Sequence, residues 1–293
     1  MRIAVAGALG QLGAAVVQEF APAHDVIALG HGDLDVTDDA QVASAMDRIR
    51  PDAIVNCAAY NDVDGAEEHP AEALNLNAFA VRALVAAASA NDAILVHYST
   101  DFVFDGTATA PYTEQDRPNP RSAYAVSKLL GEWFMADAPR GYLLRVESLF
   151  GRAPGARPAK GSVAGILNAL TSGGEARVFE DRTVSPSYVI DVATATRRLI
   201  ETRAPFGLYH CVNTGRCTWL EFARELARLL GVEPRLVPVR MSDLRLKAER
   251  PRYCVLANDK LAAAGATMPT WQDALGRHLA TVRHELAHQV TDR

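Results

Sequence analysis

Tyr124 and Lys128 stand four residues apart in the run Ser122-Ala123-Tyr124-Ala125-Val126-Ser127-Lys128-Leu129-Leu130-Gly131-Glu132 of this 293-residue chain. The run has helical character, so that spacing puts a phenol and an ammonium on one face. Upstream, Ala93 to Val96 is an apolar run that predicts a buried strand. Ser99 and Thr100 fall at its C-terminal end, where open α/β sheets place their ligands. A hydroxyl at a strand end, with a phenol and an ammonium one turn apart, is an acid/base set for reducing or oxidising a carbonyl. Tyr124 would handle the proton. A free phenol has a pKa of about 10, and Lys128 is expected to lower it electrostatically. The plainer alternative is a surface helix pair.

Carbonyl reduction needs a hydride source, and the first residues offer a place for one. Arg2 to Ala6 predicts a central strand. Gly7-Ala8-Leu9-Gly10-Gln11-Leu12-Gly13 follows as G-x-x-G-x-x-G, and Ala14 to Phe20 is amphipathic. Glycines at a strand-to-helix turn let the backbone approach a pyrophosphate, and the helix N-terminus adds N–H donors and positive dipole. Gly7, Gly10, Gln11, Leu12 and Gly13 are therefore expected at a dinucleotide, the alternative being a tight turn without a ligand. A second strand, Asp25 to Leu29, ends in Gly30-His31-Gly32 with neither an acid for ribose hydroxyls nor an arginine for a 2′-phosphate. NADPH is preferred, with NADH kept open. Asp35 or Val36 borders the adenine in this scheme, and Thr37 or Asp38 caps the next helix. A third strand from Ala53 runs into Ala58, Ala59 and Tyr60, whose small residues let backbone pass close to a cofactor. Glu67 to Ala90 predicts a long helix in which Asn75 or Asn77 could pin a loop from beneath.

The totals exclude other tasks. Net charge is −5 with no long basic run, which argues against nucleic acid as a partner. Cys57, Cys211, Cys217 and Cys254 form no C-x-x-C pair, so neither a zinc site nor a disulfide scaffold is expected, and no metal ligands are assigned. No signal-peptide layout and no apolar run of about 18 residues is evident, so no membrane association and a cytoplasmic location are expected. Strands and helices alternate regularly to about residue 150. That predicts an α/β fold with a doubly wound, Rossmann-like parallel sheet over 1–150. Residues 151–293 are expected to build mainly a smaller α/β substrate lobe, with elements near 183–213 returning to the sheet. Arg152 to Gly161, rich in proline, glycine and basic residues, is a candidate lid or a surface loop. Arg145, Arg152, Arg250 and Arg252 are candidates for a diphosphate or sugar.

At this point the motifs resemble a family. Tyr-x-x-x-Lys after a strand ending in Ser-Thr, with the glycine loop, resembles the extended short-chain dehydrogenase/reductases. Gly7–Gly13 is similar to the G-x-x-G-Q-L-G loop of dTDP-4-dehydrorhamnose reductases. Asn56–Asp64 is similar to their N-x-A-A-Y-x-x-V-D, Ser99–Gly106 to S-T-D-Y-V-F-D-G, Tyr124–Glu132 to Y-G-x-S-K-L-x-G-E, and Arg250-Pro251 to a late R-P motif. The resemblance implies reduction of a 4-keto group on a nucleotide-linked deoxysugar, in a dTDP-rhamnose type of biosynthesis. Thr100, Tyr124 and Lys128 would be catalytic, with Lys128 also bonding the nicotinamide ribose and Thr100 the substrate oxygen. Asp101, Phe102, Phe150 and Arg250 are the implied sugar contacts. Mg2+ and a homodimer are implied for some members by the resemblance alone. Three departures fall on the sugar side. The family's R-x-x-W-V-Y-G reads Arg145 to Gly151, with Leu149 read as replacing the sugar-facing aromatic. D-Q-x-G-x-P-T reads Asp181 to Ser187 with Arg182 second. Tyr253-Cys254 replaces Asn-Ser after the R-P motif. An epimerase or dehydratase on the same scaffold is one alternative, although a dehydratase would show Asp-Glu where Asp101-Phe102 stands. A non-catalytic NADP-binding regulatory subunit is another.

Overall fold

The computed structural model describes residues 1–153, 156 and 161–291, the side chains of 284–291 excepted. The first half alternates as the sequence predicts. β1 (Arg2–Ala6), α1 (Gln11–Phe20), β2 (Asp25–Leu29), α2 (Asp39–Ile49) and β3 (Ala53–Asn56) come first. Short helices α3 (Gly65–Glu68) and α4 (Pro70–Leu74), a π-helical turn (Asn75–Phe79) and α5 (Ala80–Ala90) replace the single long helix expected. Pro70 interrupts it because proline has no N–H to donate. β4 (Ile94–Thr100), a 3₁₀ turn (Asp101–Val103), α6 (Ala123–Met135) and β5 (Gly141–Val146) complete this half. The chain continues through β6 (Leu149–Phe150), α7 (Ser162–Thr171), β7 (Glu175–Phe179), β8 (Thr183–Val184), β9 (Ser187–Tyr188), α8 (Val189–Thr202) and β10 (Gly207–His210). It closes with β11 (Cys217–Thr218), α9 (Trp219–Leu230), β12 (Arg235–Val239), α10 (Asp259–Ala263) and α11 (Trp271–Thr291).

The main sheet has six strands in the order β10-β5-β4-β3-β1-β2, every pair parallel. Side chains alternate across it. Ile3 and Val5 join a core with α1 and α8 residues such as Val16 and Leu199. Ala4 and Ala6 face the opposite core with α2 and α5 residues such as Met46 and Leu84. Helices therefore cover both faces, and the fold is α/β, doubly wound. α8 and β10 belong to this body. A third core joins α7, α9 and α11 through Ile166, Phe222 and Leu275, bordered by the two-stranded pairs β7–β12, β8–β11 and β6–β9.

Two local causes are visible. Asp38, not Thr37, caps α2, its carboxylate accepting from the N–H groups of Ala40 and Gln41. Thr218 and Glu221 form a capping box on α9. Pro70–Ala90 is long and apolar enough to cross a membrane, contrary to expectation, but over half of its window is buried within the protein. It serves as a core helix. Strand order reverses between β1 and β3, and the loops after these strands and β4 meet at one edge. Open α/β sheets bind ligands at such an edge.

Candidate active site

The loop after β1 is built for close backbone approach. Gly7 has φ +73°, and a Cβ there would lie 2.6 Å from the Ala58 nitrogen. A Cβ on Gly13 would lie 2.2 Å from the Gly7 carbonyl oxygen. Helix α1 thus packs directly on the loop, and no side chain caps its N-terminus. Leu12 anchors the turn in the core, and the Gln11 side chain donates to the Gly151 carbonyl at 2.6 Å. Uncapped helix N–H groups beside a glycine cradle suit a pyrophosphate. A nicotinamide dinucleotide fits these residues.

Farther along the edge the acids are turned away. Asp33 accepts from the Gly30 N–H, and Asp35 accepts from the N–H and hydroxyl of Thr37. The Thr37 bonds hold the Asp35 carboxyl below its ordinary range. Val36 is buried in the second core. Ala58 and Ala59 line the neighbouring loop, half-buried. That loop is pinned from beneath by Asn77, whose amide accepts from the Tyr60 N–H at 2.8 Å and donates to the Tyr60 carbonyl at 3.1 Å. Asn77 also donates to Ser127 Oγ, which donates to the Tyr124 carbonyl. One buried amide in the π-helical turn therefore ties the cofactor-side loop to α6. Asn75, the other candidate, is exposed.

Helix α6 begins at a Ser122 cap and buries both Tyr124 and Lys128. Gly131 permits this, since a Cβ there would meet the Asn77 carbonyl oxygen at 2.2 Å. Tyr124 packs edge-on against the Phe102 ring, centroids 5.6 Å apart, in a small cluster with Tyr60. Burial pushes the phenol's pKa up, the Thr100 hydroxyl opposes this, and Asp101 adds to it. The expected lowering by Lys128 is not found. Lys128 Nζ instead donates to the Tyr98 carbonyl at 2.6 Å and lies 3.4 Å from His97 Nε2.

The sequence reading missed His97. The Ala58 N–H donates to Asn56 Oδ1, so Asn56 Nδ2 faces His97 Nδ1 at 3.1 Å as a donor. Burial holds His97 neutral, and burial lowers Lys128 to about 8. No spacing signal links Asn56, His97 and Lys128. They meet because β3 and β4 are paired in register, Asn56 opposite His97.

The sugar side departs from expectation. Phe150 is 1 % exposed and stacks on Tyr188 in the lobe core, so it faces away from the site. Arg250 forms a two-pronged ion pair with Asp64, at 2.7 and 3.0 Å, straps the 244–253 loop over the loop after β3, and holds the Asp64 carboxyl at about 2. Arg145 is buried against Glu132, at 2.6 and 2.9 Å, and is a core ion pair rather than a diphosphate ligand. Aligned residue by residue, R-x-x-W-V-Y-G sets the family's tryptophan at Ser148, not Leu149. Leu149 takes the valine position and packs toward the first core. Ser148 holds φ +41°. Of the lid candidate, Pro154, Gly155 and 157–160 lie outside the described residues.

A second cluster draws Arg182 and Cys254, two of the departures from the family pattern, beside Asp101. Asp101, Glu147 and Cys254 bring their ligating atoms within 4.8 Å of one another, all buried. Arg182 lies among them, 4.0 Å from Asp101 and 3.6 Å from Cys254, over the Phe102 ring. Mg2+ takes hard oxygen ligands and keeps several waters. A buried thiol and an adjacent guanidinium do not fit it.

A family profile for the RmlD substrate-binding domain matches residues 1–284. The chain belongs to this family, that of the dTDP-4-dehydrorhamnose reductases. It is 37 % identical over 280 residues to a probable dTDP-4,6-dihydroxy-2-methyloxan-3-one 4-ketoreductase of Streptomyces antibioticus, covering 94 % of this chain and 93 % of that one. It is also 37 % identical, over 284 residues, to a dTDP-4-dehydrorhamnose reductase of Streptomyces griseus, with 92 % and 90 % covered. A solved dTDP-4-dehydrorhamnose reductase from Bacillus anthracis, in complex with NADP, superposes with a TM-score of 0.90 at 31 % identity, covering 96 % of this chain and 99 % of that one.

Proposed function

We propose that the protein is an NAD(P)H-dependent reductase of a 4-keto nucleotide-deoxysugar, of the dTDP-4-dehydrorhamnose reductase kind. The observation that carries this is Tyr124, buried against Phe102 two residues beyond the Thr100 strand end, on the edge that holds the glycine cradle, with Lys128 on the same helix. Membership of the family and the kinship with two dTDP-sugar reductases support it.

A bound reduced nicotinamide supplies the hydride. Gly7, Gly10, Gln11, Leu12 and Gly13 would hold its pyrophosphate through backbone N–H groups, and Ala58, Ala59 and Tyr60 would flank it. NADPH is favoured over NADH because the acids beyond β2 are engaged by Gly30 and Thr37. The keto oxygen gains negative charge as the carbonyl is reduced. Tyr124 donates the proton to it, giving the alcohol. A buried phenol keeps that proton until an alkoxide competes for it. Thr100 anchors the phenol oxygen. Lys128, carrying a charge below about pH 8 and held by the Tyr98 carbonyl, would bond the nicotinamide ribose. Phe102, against the Tyr124 ring, stands where a dehydratase would carry an acid.

The substrate's nucleotide and sugar, the cytoplasmic location and a homodimer are part of the proposal. Exposed Phe79, Val126 and Trp133, on the π-helical turn and α6, are compatible with a dimer face. The test is a panel of 4-keto nucleotide sugars with NADPH and with NADH. Consumption of NADPH with a dTDP-linked 4-keto-6-deoxysugar supports the reading. Dinucleotide binding without consumption on any member of the panel refutes it in favour of a regulatory subunit.

A further inference from the structure

The glycine turn and the lobe meet at a short strand. β6 is two residues long, and its side chains enter different cores. Leu149 packs toward the first core, with the sheet, and Phe150 is buried in the third, with α7, α9 and α11. β6 pairs in parallel with β9, Leu149 opposite Ser187 and Phe150 opposite Tyr188. β9 is held in turn by the buried Asn213. Asn213 accepts from the Tyr188 N–H at 2.7 Å and donates to Asp191 at 2.7 Å and to the Pro269 carbonyl at 3.1 Å. Gly151, which follows β6, has φ +82°, and a Cβ there would lie 2.3 Å from the Tyr188 ring. The joint between sheet and lobe is therefore close-packed, without slack on the Tyr188 side.

Gln11 reaches this joint from the dinucleotide side. It is the first residue of α1, after Gly10 at the N-cap, and the helix ladder starts with the Ala14 N–H donating to the Gly10 carbonyl. The N–H groups of Gln11, Leu12 and Gly13 come before that bond and lack a partner in the helix. They are the donors offered to the pyrophosphate. The Gln11 side chain is used elsewhere. Across 140 positions of sequence its Nε2 donates to the Gly151 carbonyl at 2.6 Å. One residue thus has its main chain on the cofactor side and its amide on the end of β6.

A shared residue links two ordering costs. A pyrophosphate that fixes the first turn of α1 also fixes the root of the Gln11 side chain. The end of β6 is then held before a sugar nucleotide arrives, and the second ligand is spared that part of the ordering. Linkage makes the effect reciprocal, so the sugar nucleotide tightens the cofactor by the same factor.

We propose that Gln11 is a positioning residue whose side chain makes the binding of cofactor and of nucleotide sugar cooperative, by tying the pyrophosphate turn to the strand that joins sheet and lobe. Its amide touches no reacting atom. The inference rests on the reductase reading above for the identity of the second ligand.

The experiment compares wild type with Gln11→Met, which keeps the length of the side chain without the donor, and Gln11→Glu, which keeps its shape but sets a carboxylate against the carbonyl. The first readout is the ratio of NADP+ dissociation constants without and with the nucleoside diphosphate of the 4-keto sugar that the wild type reduces best. A ratio is independent of what each variant does to the affinity for NADP+ alone. It should be at least about fivefold in the wild type and within about twofold of unity in both variants. The second readout is hydrogen exchange at the amides of Leu149, Phe150, Ser187 and Tyr188. Saturating NADP+ should slow it in the wild type and leave it unchanged in both variants. A merely structural bond would lower Tm with and without NADP+ alike and leave the ratio as in the wild type. A wild-type ratio near unity, a variant that keeps the wild-type ratio, or NADP+ protection that persists in both variants overturns the coupling. A wild type that reduces no 4-keto sugar sinks the reductase reading, and the exchange readout, which needs NADP+ alone, then decides on Gln11.

Discussion

The two edges of the site are made in different ways. The dinucleotide edge is made of backbone. Gly7 and Gly13 leave no room for a Cβ, at 2.6 and 2.2 Å from neighbouring main chain, and Asn77 bonds main chain on one side and Ser127 on the other. The other edge, proposed for the sugar, is made of side chains brought from distant segments, with Asp101, Glu147, Arg182 and Cys254 in one buried group. Backbone geometry tolerates little change in residue type, whereas a side-chain cluster can be rebuilt so long as its charges balance. The difference separates how the reaction is run from what it is run on.

Removing the phenol oxygen should have the largest effect. Tyr124→Phe is expected to lower kcat by about a thousandfold, within the range of proton-transfer catalysis, with NADPH affinity intact by fluorescence titration. Near wild-type turnover would mean that the proton comes from the other edge. Gly13→Ala should cost about 1–3 kcal/mol of local packing, seen as weaker NADPH binding together with a lower Tm. If only the sugar KM moved, the division between edges would be wrong.

A third test uses pH. Lys128 is lowered to about 8 by burial, so its charge is present below that pH and lost above it. NADPH affinity of the free protein should therefore fall by a few-fold as pH rises through about 8, and Lys128→Met should flatten the curve. Arg250→Ala breaks a partly exposed pair with Asp64, worth about 1 kcal/mol or less. It should raise the sugar KM a few-fold and leave kcat nearly unchanged. Leu149→Ala should change the sugar KM least, because that side chain packs toward the core. A large effect there would restore Leu149 to the sugar site.

The same division decides what was legible in the sequence. The glycine loop, the strand ending in Ser99-Thr100 and the Tyr124–Lys128 spacing are local patterns, and each lies on the element expected. The two apolar faces of the sheet follow from alternation along β1, and the helical cover on both sides follows from the alternating elements. What was not legible depends on tertiary placement. Phe150 and Arg145 look like ligands by position, yet one fills the lobe core and the other pairs with Glu132. Arg182 and Glu147 are 35 positions apart (182 − 147), and only folding places both beside Asp101. His97 became visible only when β3 and β4 were paired.

The central claim is tested most directly by following a label. The wild type is incubated with NADPH deuterated at nicotinamide C4 and a dTDP-linked 4-keto-6-deoxysugar, and the product is read by NMR. The account predicts one deuterium at the sugar's C4 and stoichiometric NADP+. Tight NADPH binding with no label in any 4-keto nucleotide sugar offered would contradict it.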